Sequence, residues 1–233
     1  MARKDRRRNP KFEEERVDKA QPIVAKTNGQ RVYLKALQQK ILIVPTGSAG
    51  TGKTFIAASH AANRLVRGEV ESVVLSRPYV PMGRSSGFFP GTVYEKLEPY
   101  LKPMLNVLKK RLGDNDYESR VRAGRIAIQA MEAIRGMSFE NCILIIDEAQ
   151  NTTPEEMESV VTRIGENCQI ILCGDPAQSD IRGKNGLDYI AQIIEDYDVE
   201  DAKVINFYPE DNVRSGITKR FVQIFDRIRG DKK

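Results

Sequence analysis

Short apolar, β-branched runs alternate with longer stretches of helical period along most of the chain. Six runs read as strands: "KILIVPT" from Lys40, "VESVVLS" from Val70, "GRIAIQA" from Gly124, "NCILIIDE" from Asn141, "QIILCGD" from Gln169 and "AKVINFY" from Ala202. Several are apolar at nearly every position, the pattern of strands covered on both faces. Helical stretches fall between them at about 53–67, 100–112, 154–164, 186–196 and 215–229. Such alternation requires crossover connections. The pattern therefore predicts an α/β fold, a mainly parallel sheet with helices on both faces.

Two segments break the alternation. "RPYVPMGRSSGFFPGTVYEKLEPYLKP" holds five prolines and three glycines and reads as a structured excursion; "GDNDYESR" reads as an exposed turn. Residues 1–27 are polar, charged and aperiodic, which predicts a flexible basic arm. Residues 28–233 read as one domain, with no repeat and no dividing linker.

Composition adds limits. Hydrophobic residues make up 40% and charged residues 30%, which fits a soluble globular domain. No apolar run reaches membrane-spanning length, and the basic start has no apolar segment behind it, so neither a membrane span nor a secretory signal is expected. Cys142, Cys168 and Cys173 lie in or beside apolar runs without metal-type spacing, and are expected to be reduced core thiols of a cytoplasmic protein. The net charge of +5 permits attraction to a polyanion. Much of the excess sits at Arg3, Lys4, Arg6, Arg7 and Arg8, either a solvated tail or an arm for nucleic acid.

The chemistry starts at "PTGSAGTGKT", directly after the first strand. Gly47, Ser48, Ala49, Gly50, Thr51, Gly52, Lys53 and Thr54 match a phosphate-binding loop. Glycines permit the tight turn, successive amides form an anion nest, and the following helix adds its positive end. Lys53 is placed to reach the outer phosphates of ATP, and Thr54 to ligate Mg²⁺. In "CILIIDEAQ", four apolar residues put Asp147 and Glu148 at the C-terminal end of a buried strand, where ligands bind in open α/β sheets. Asp147 is expected in the Mg²⁺ shell, and Glu148 to orient or deprotonate the attacking water. "IILCGDPAQ" ends a further strand; Gln178 suits contact with the γ-phosphate or water, and Asp175 a supporting role.

The set "PTGSAGTGKT", "LSRP", "GFFPG", "EKLEPYLKPM", "DEAQNTT", "TRIG" and "GDPAQSD" resembles the PhoH-like proteins, phosphate-starvation-associated ATPases related to the motor core of superfamily 1 helicases. The likeness runs from about 28 to 229. It implies a RecA-like P-loop NTPase fold, Mg-ATP hydrolysis, RNA or single-stranded nucleic-acid work, and homo-oligomeric rings, hexamers among them. It also implies γ-phosphate-linked roles for Gln150 and Gln178, and an adenine-reading role for Gln30 in "TNGQRVYLKAL". The alternative for Gln30 is a surface helix residue. The chain departs from the family pattern at Arg84, in "QAMEAIRGM" and at Ser215. These changes spare the ATP site and bear on loops that would meet a partner.

Phosphoryl transfer concentrates negative charge that an arginine can stabilise by about 10³–10⁵ in rate. With one phosphate loop and too few residues for a second motor domain, the cation is expected from within the domain or from a neighbouring subunit. The candidates are Arg77, Arg135, Arg163 and Arg214, and Arg214, near the end of the last strand, is the one expected to be catalytic. Leu97, Leu101, Leu105, Leu108 and Leu112 share one helix face that packs on the sheet or serves assembly. Phe88 and Phe89, adjacent on a glycine-flanked loop, plug the core, line a subunit contact or stack on bases. Two other readings of the loop are a nucleotide-gated binding module with negligible turnover and a small-molecule kinase. Glu148 beside Asp147 argues against the kinase, which needs no water-activating acid.

Overall fold

A computed structural model describes residues 20–78 and 93–230. The basic cluster before residue 20, Arg84, Phe88 and Phe89 lie outside the described residues. The six expected strands form: β1 (Leu42–Thr46), β2 (Ser72–Ser76), β3 (Ile126–Ile128), β4 (Cys142–Ile146), β5 (Gln169–Leu172) and β6 (Ala202–Asn206). They make one sheet in the order β3-β2-β4-β5-β1-β6, every pairing parallel. Ile143 and Ile145 face one side of the sheet and Leu144 and Ile146 the other, all fully buried, so β4 needs an apolar residue at each position.

Helices cover both sides. On one lie α1 (Asn28–Gln39), α2 (Lys53–Arg67) and α3 (Val93–Leu112), which bury Tyr33, Leu37, Ile56, Ala57 and the α3 leucines against Ile43, Val73 and Leu75. Leu97, Leu101, Leu105 and Leu108 are buried and Leu112 packs at their edge, so the leucine face closes this core. On the other side, α5 (Met131–Ile134), α6 (Pro154–Val161) and α7 (Gly186–Asp196) set Ile134, Met157, Val160, Leu187 and Ile190 against Val44, Leu144 and Leu172. A Thr153–Glu156 capping box starts α6. The last helix is α8 (Gly216–Gly230).

Two expectations need correction. "GDNDYESR" is not a turn: α4 spans Asp114–Arg122. Arg120 pairs with Asp116 at 2.9 Å and Arg122 with Glu118 at 3.9 Å, one helical turn apart, and Tyr117 and Val121 pack on the core. Acids in the first turn and arginines in the last also complement the helix dipole. Likewise α3 begins at Val93, inside the proline-rich excursion, and carries Pro99 and Pro103. Each proline removes one helical N–H bond; the buried leucine face compensates.

The strand order makes β4, β5 and β1 neighbours. Their C-terminal ends therefore bring "DEAQ", "GDPAQ" and the glycine-rich loop to one place.

Candidate active site

The loop over 47–54 turns from β1 into α2 with Gly47, Gly50 and Gly52 in the left-handed region, φ +127°, +91° and +91°. A Cβ on Gly47 would lie 2.4 Å from the Phe207 carbonyl oxygen, and one on Gly50 would lie 2.8 Å from Arg214 Cδ, so neither position admits a side chain. Five consecutive carbonyls of the loop are tied down. Lys53 Nζ donates to Gly47 O and, at 2.9 Å, to Ser48 O. Asn212 Nδ2 donates to Ala49 O (3.1 Å), the Val213 N–H to Gly50 O (3.0 Å), and Gln30 Nε2 to Thr51 O (2.9 Å). None of these bonds uses a loop N–H. The Gly47 N–H donates to Gly174 O at 3.2 Å, so the amides from Ser48 to Gly52, with the N-terminal end of α2, are what the loop offers to an anion.

Asp147 and Glu148 follow β4. Thr54 Oγ1 donates to Asp147 Oδ1 at 2.9 Å. Burial pushes the Asp147 carboxyl above the usual carboxylate range, against the pull of the Thr54 bond. Burial likewise lowers the Lys53 amine, opposed by the acids Asp175, Asp147 and Glu148. The Thr54 hydroxyl and the under-solvated Asp147 carboxylate are oxygen ligands of the kind that suits a hard divalent cation. Among the described residues no group of three or more His, Cys, Asp or Glu is placed to hold a metal ion.

Glu148 takes the left-handed conformation at φ 52°, unusual for a residue with a Cβ. Its carboxylate accepts from Gln150 Nε2 at 2.6 Å, and Arg77 Nη2 stands 4.0 Å away. Gln150, 1% exposed, also accepts the Asp175 N–H at 3.0 Å, and Gln178 Nε2 donates to Asp175 Oδ2. Glu148 and Gln178 thus belong to one network whose buried links are Gln150 and Asp175.

These groups open on a cavity of about 500 Å³. Lys53, Thr54, Asp147, Glu148 and Gln178 line it, with Arg77 and Arg214 of the same chain. Arg135 is not there; it pairs with Glu156 at 3.6 Å. Nor does Arg163 line it: its carbonyl accepts the Phe139 N–H beyond α6. Gln30 is 4% exposed rather than a surface residue, and its amide engages Thr51 O and the Lys26 N–H. Gln30 therefore holds the loop from behind.

Sequence reasoning missed two parts of the site. Phe55, Tyr100, Pro103 and Val107 form an apolar wall beside the phosphate end. Phe55 follows Thr54 directly and is 51% exposed, with the Arg111 guanidinium 5.8 Å from its ring centroid. The second is the segment after β6, where Asn212 and Val213 clamp the loop. Asp211 accepts from the Gly29 and Tyr208 N–H groups, joining the same turn to α1. The one local signal was Asn212's position two residues before Arg214.

The family model "PhoH-like protein" matches residues 22–226. The chain is 39% identical over 209 residues to Protein PhoH of Escherichia coli K12, covering 88% of this chain and 58% of that one. It is 35% identical over 211 residues to a PhoH-like protein of Bacillus subtilis 168, covering 90% and 66%. It thus spans about three-fifths of the length of these relatives. In three dimensions it is similar to the large terminase of a thermophilic bacteriophage, with TM-score 0.52, 14% identity and coverage of 89% of this chain and 50% of that one. The same terminase in complex with ADP gives TM-score 0.50 at 12% identity, covering 93% and 49%. The parallel sheet and loop have the RecA-like P-loop arrangement expected from the sequence. With nearly the whole described chain inside the family model, this chain belongs to the PhoH-like protein family.

Proposed function

We propose that the cavity binds Mg-ATP and hydrolyses its γ-phosphate. The observation that carries this reading is the Thr54–Asp147 hydrogen bond at 2.9 Å, set between a loop with tethered carbonyls and a strained Glu148. The loop amides of Ser48, Ala49, Gly50, Thr51 and Gly52 hold the phosphates, while the Gly47 N–H stays on Gly174 O, and Lys53 leaves its two carbonyl partners for the outer ones. Thr54 and Asp147 hold the Mg²⁺, which supplies charge neutralisation to the phosphate oxygens. Glu148 accepts the proton of a water whose oxygen bonds to the γ-phosphorus. The bond from that phosphorus to the β–γ bridging oxygen breaks, and ADP and phosphate leave. Gln178 positions the water or the γ-phosphate. Arg77 and Arg214 line the same cavity in cis, which favours an internal cation over one lent by a neighbour; Arg214, packed on Gly50, is the stronger candidate. The base rests on the Phe55 wall. Gln30 acts on adenine only if its bonds to Thr51 and Lys26 are exchanged.

Hydrolysis is coupled to RNA or single-stranded nucleic acid, in a homo-oligomer and in the cytoplasm. The net charge of +5, three free buried thiols, and the exposed apolar side chains Ile217, Ile224 and Ile228 on α8 support this part. Among the described residues no helix is long and apolar enough to cross a membrane. Phosphate release with and without poly(U) RNA across salt tests both parts. ATP hydrolysis lost in Lys53→Ala, with RNA stimulation fading as salt rises, supports the reading. Turnover that Glu148→Gln leaves unchanged points instead to a nucleotide-gated binding module, and label transferred from the γ-phosphate to a small molecule points to a kinase.

A further inference from the structure

A second cavity, about 520 Å³, lies at the opposite end of α2 from the phosphate loop. Its walls come from α1, α2 and the segment before α1. Ile23, Leu34 and Leu37 give it an apolar side, whereas His60, Arg64 and Arg67, one and two turns apart on α2, give it a polar one. The segment that carries Pro22 and Ile23 is held by its Gln21 carbonyl, which accepts from Asn63 Nδ2 at 2.7 Å and Arg111 Nη1 at 2.8 Å.

The protonation of this site follows from hydrogen bonding. Gln169 Nε2 donates to Leu37 O (2.9 Å) and Lys40 O (2.7 Å), so its amide orientation is set and its Oε1 must accept. The group 2.8 Å from that oxygen is His60 Nε2, which therefore carries the ring hydrogen. In the neutral ring Nδ1 is then an acceptor, on a side chain that lines the cavity. At the mouth, Arg64 Nε donates to Glu69 Oε2 at 2.9 Å, and Arg67 Nη1 stands 3.6 Å from Glu69 Oε1. Two guanidiniums facing one carboxylate leave a net positive charge. Each has N–H groups beyond those pointed at Glu69.

We infer that this cavity is a second ligand site for a nucleoside monophosphate. The phosphate lies against Arg64 and Arg67, the flat base lies on Ile23 and Leu34, which are only partly buried, and a base N–H donates to His60 Nδ1. The volume falls within the range of small-molecule pockets. The mixture of an apolar wall, one fixed acceptor and an arginine pair selects a ligand with all three parts over a bare anion. This inference does not depend on the ATPase reading, because no residue of the cavity belongs to the phosphate loop.

His60 is the single histidine of the chain, so one imidazole signal reports on the site. The experiment titrates AMP into the Lys53→Ala protein, free of any histidine tag, and follows the His60 ring by carbon–proton NMR. A saturable shift with Kd of about 1 mM or tighter is expected. It should vanish in Arg64→Gln/Arg67→Gln on the same background, whose circular dichroism spectrum and melting temperature close to those of the Lys53→Ala protein are the check on folding. No shift at about tenfold that concentration overturns the proposal. So does an equal shift at equal affinity with inorganic phosphate alone, or a shift that persists in the arginine double variant.

Discussion

The Thr54 hydroxyl donates to Asp147 Oδ1 at 2.9 Å across 93 residues of sequence, fixing the start of α2 to the end of β4. Thr54 and Asp147 are the residues that would hold a divalent cation, and the Asp147 carboxyl is raised by burial. A native carboxyl that binds its proton more tightly than the unfolded one costs stability as pH rises from the ordinary carboxylate range through its raised value. The nucleotide-free Asp147→Asn variant should therefore melt higher than the parent at neutral pH. Differential scanning calorimetry with and without Mg-ATP checks this. The variant is expected to gain in the absence of ligand and to lose the ligand-induced increase.

Gln150 joins Glu148 to the Asp175 backbone while almost wholly buried. Gln150→Ala leaves the Asp175 N–H without its acceptor, at a cost of about 1–3 kcal/mol, and frees Glu148 to rotate. We expect a lower unfolding midpoint in urea and a single-turnover hydrolysis rate reduced by about tenfold or more, with ATP affinity nearly unchanged. A rate loss that comes entirely from weaker binding would contradict the role given to Gln150.

Asn212 is expected to act on binding instead. Its amide holds Ala49 O at 3.1 Å, and a typical hydrogen bond contributes about 0.5–1.5 kcal/mol. Asn212→Ala should raise the Kd for ATP by about two- to tenfold while the chemical step at saturation stays close to the parent's. Isothermal titration beside saturated turnover separates the two.

How much of this was legible in the sequence depended on the range of the interaction. β4 and β5 could be read because a strand covered on both faces is apolar at every position, and Asp147 and Glu148 because they end such a run. The loop was legible because only glycine tolerates its backbone near Phe207 and Arg214. By contrast, α4 hid behind a Gly-Asp-Asn-Asp start that favours turns, and its Asp116–Arg120 pair mattered only once Tyr117 had a core to pack on. Asn212, Asp211 and the Phe55 wall join segments distant in sequence, and no local periodicity records such contacts. Gln30 could be picked out, but its buried bond to Thr51 O could not.

His60 supplies a pH-dependent prediction independent of nucleotide. Burial lowers its pKa to about 4, with the Gln169 bond opposing and Arg64 and Arg67 assisting. The native state therefore binds its proton less readily than the unfolded state. Stability contributed by the neutral ring is present above the unfolded value of about 6.5 and is lost as pH falls from there towards 4. Urea unfolding at pH 7 and pH 5 should show a loss of about 1–2 kcal/mol attributable to this group, absent in His60→Gln. An equal loss in the variant would assign the effect elsewhere.

The most direct test of the ATPase account is phosphate release from Mg-ATP by the purified parent protein beside its Glu148→Gln variant, with nucleotide binding measured in both. The account predicts retained binding and a turnover reduced by about two or more orders of magnitude in the variant. Equal turnover in the two proteins, or no binding of Mg-ATP to the parent, would contradict it.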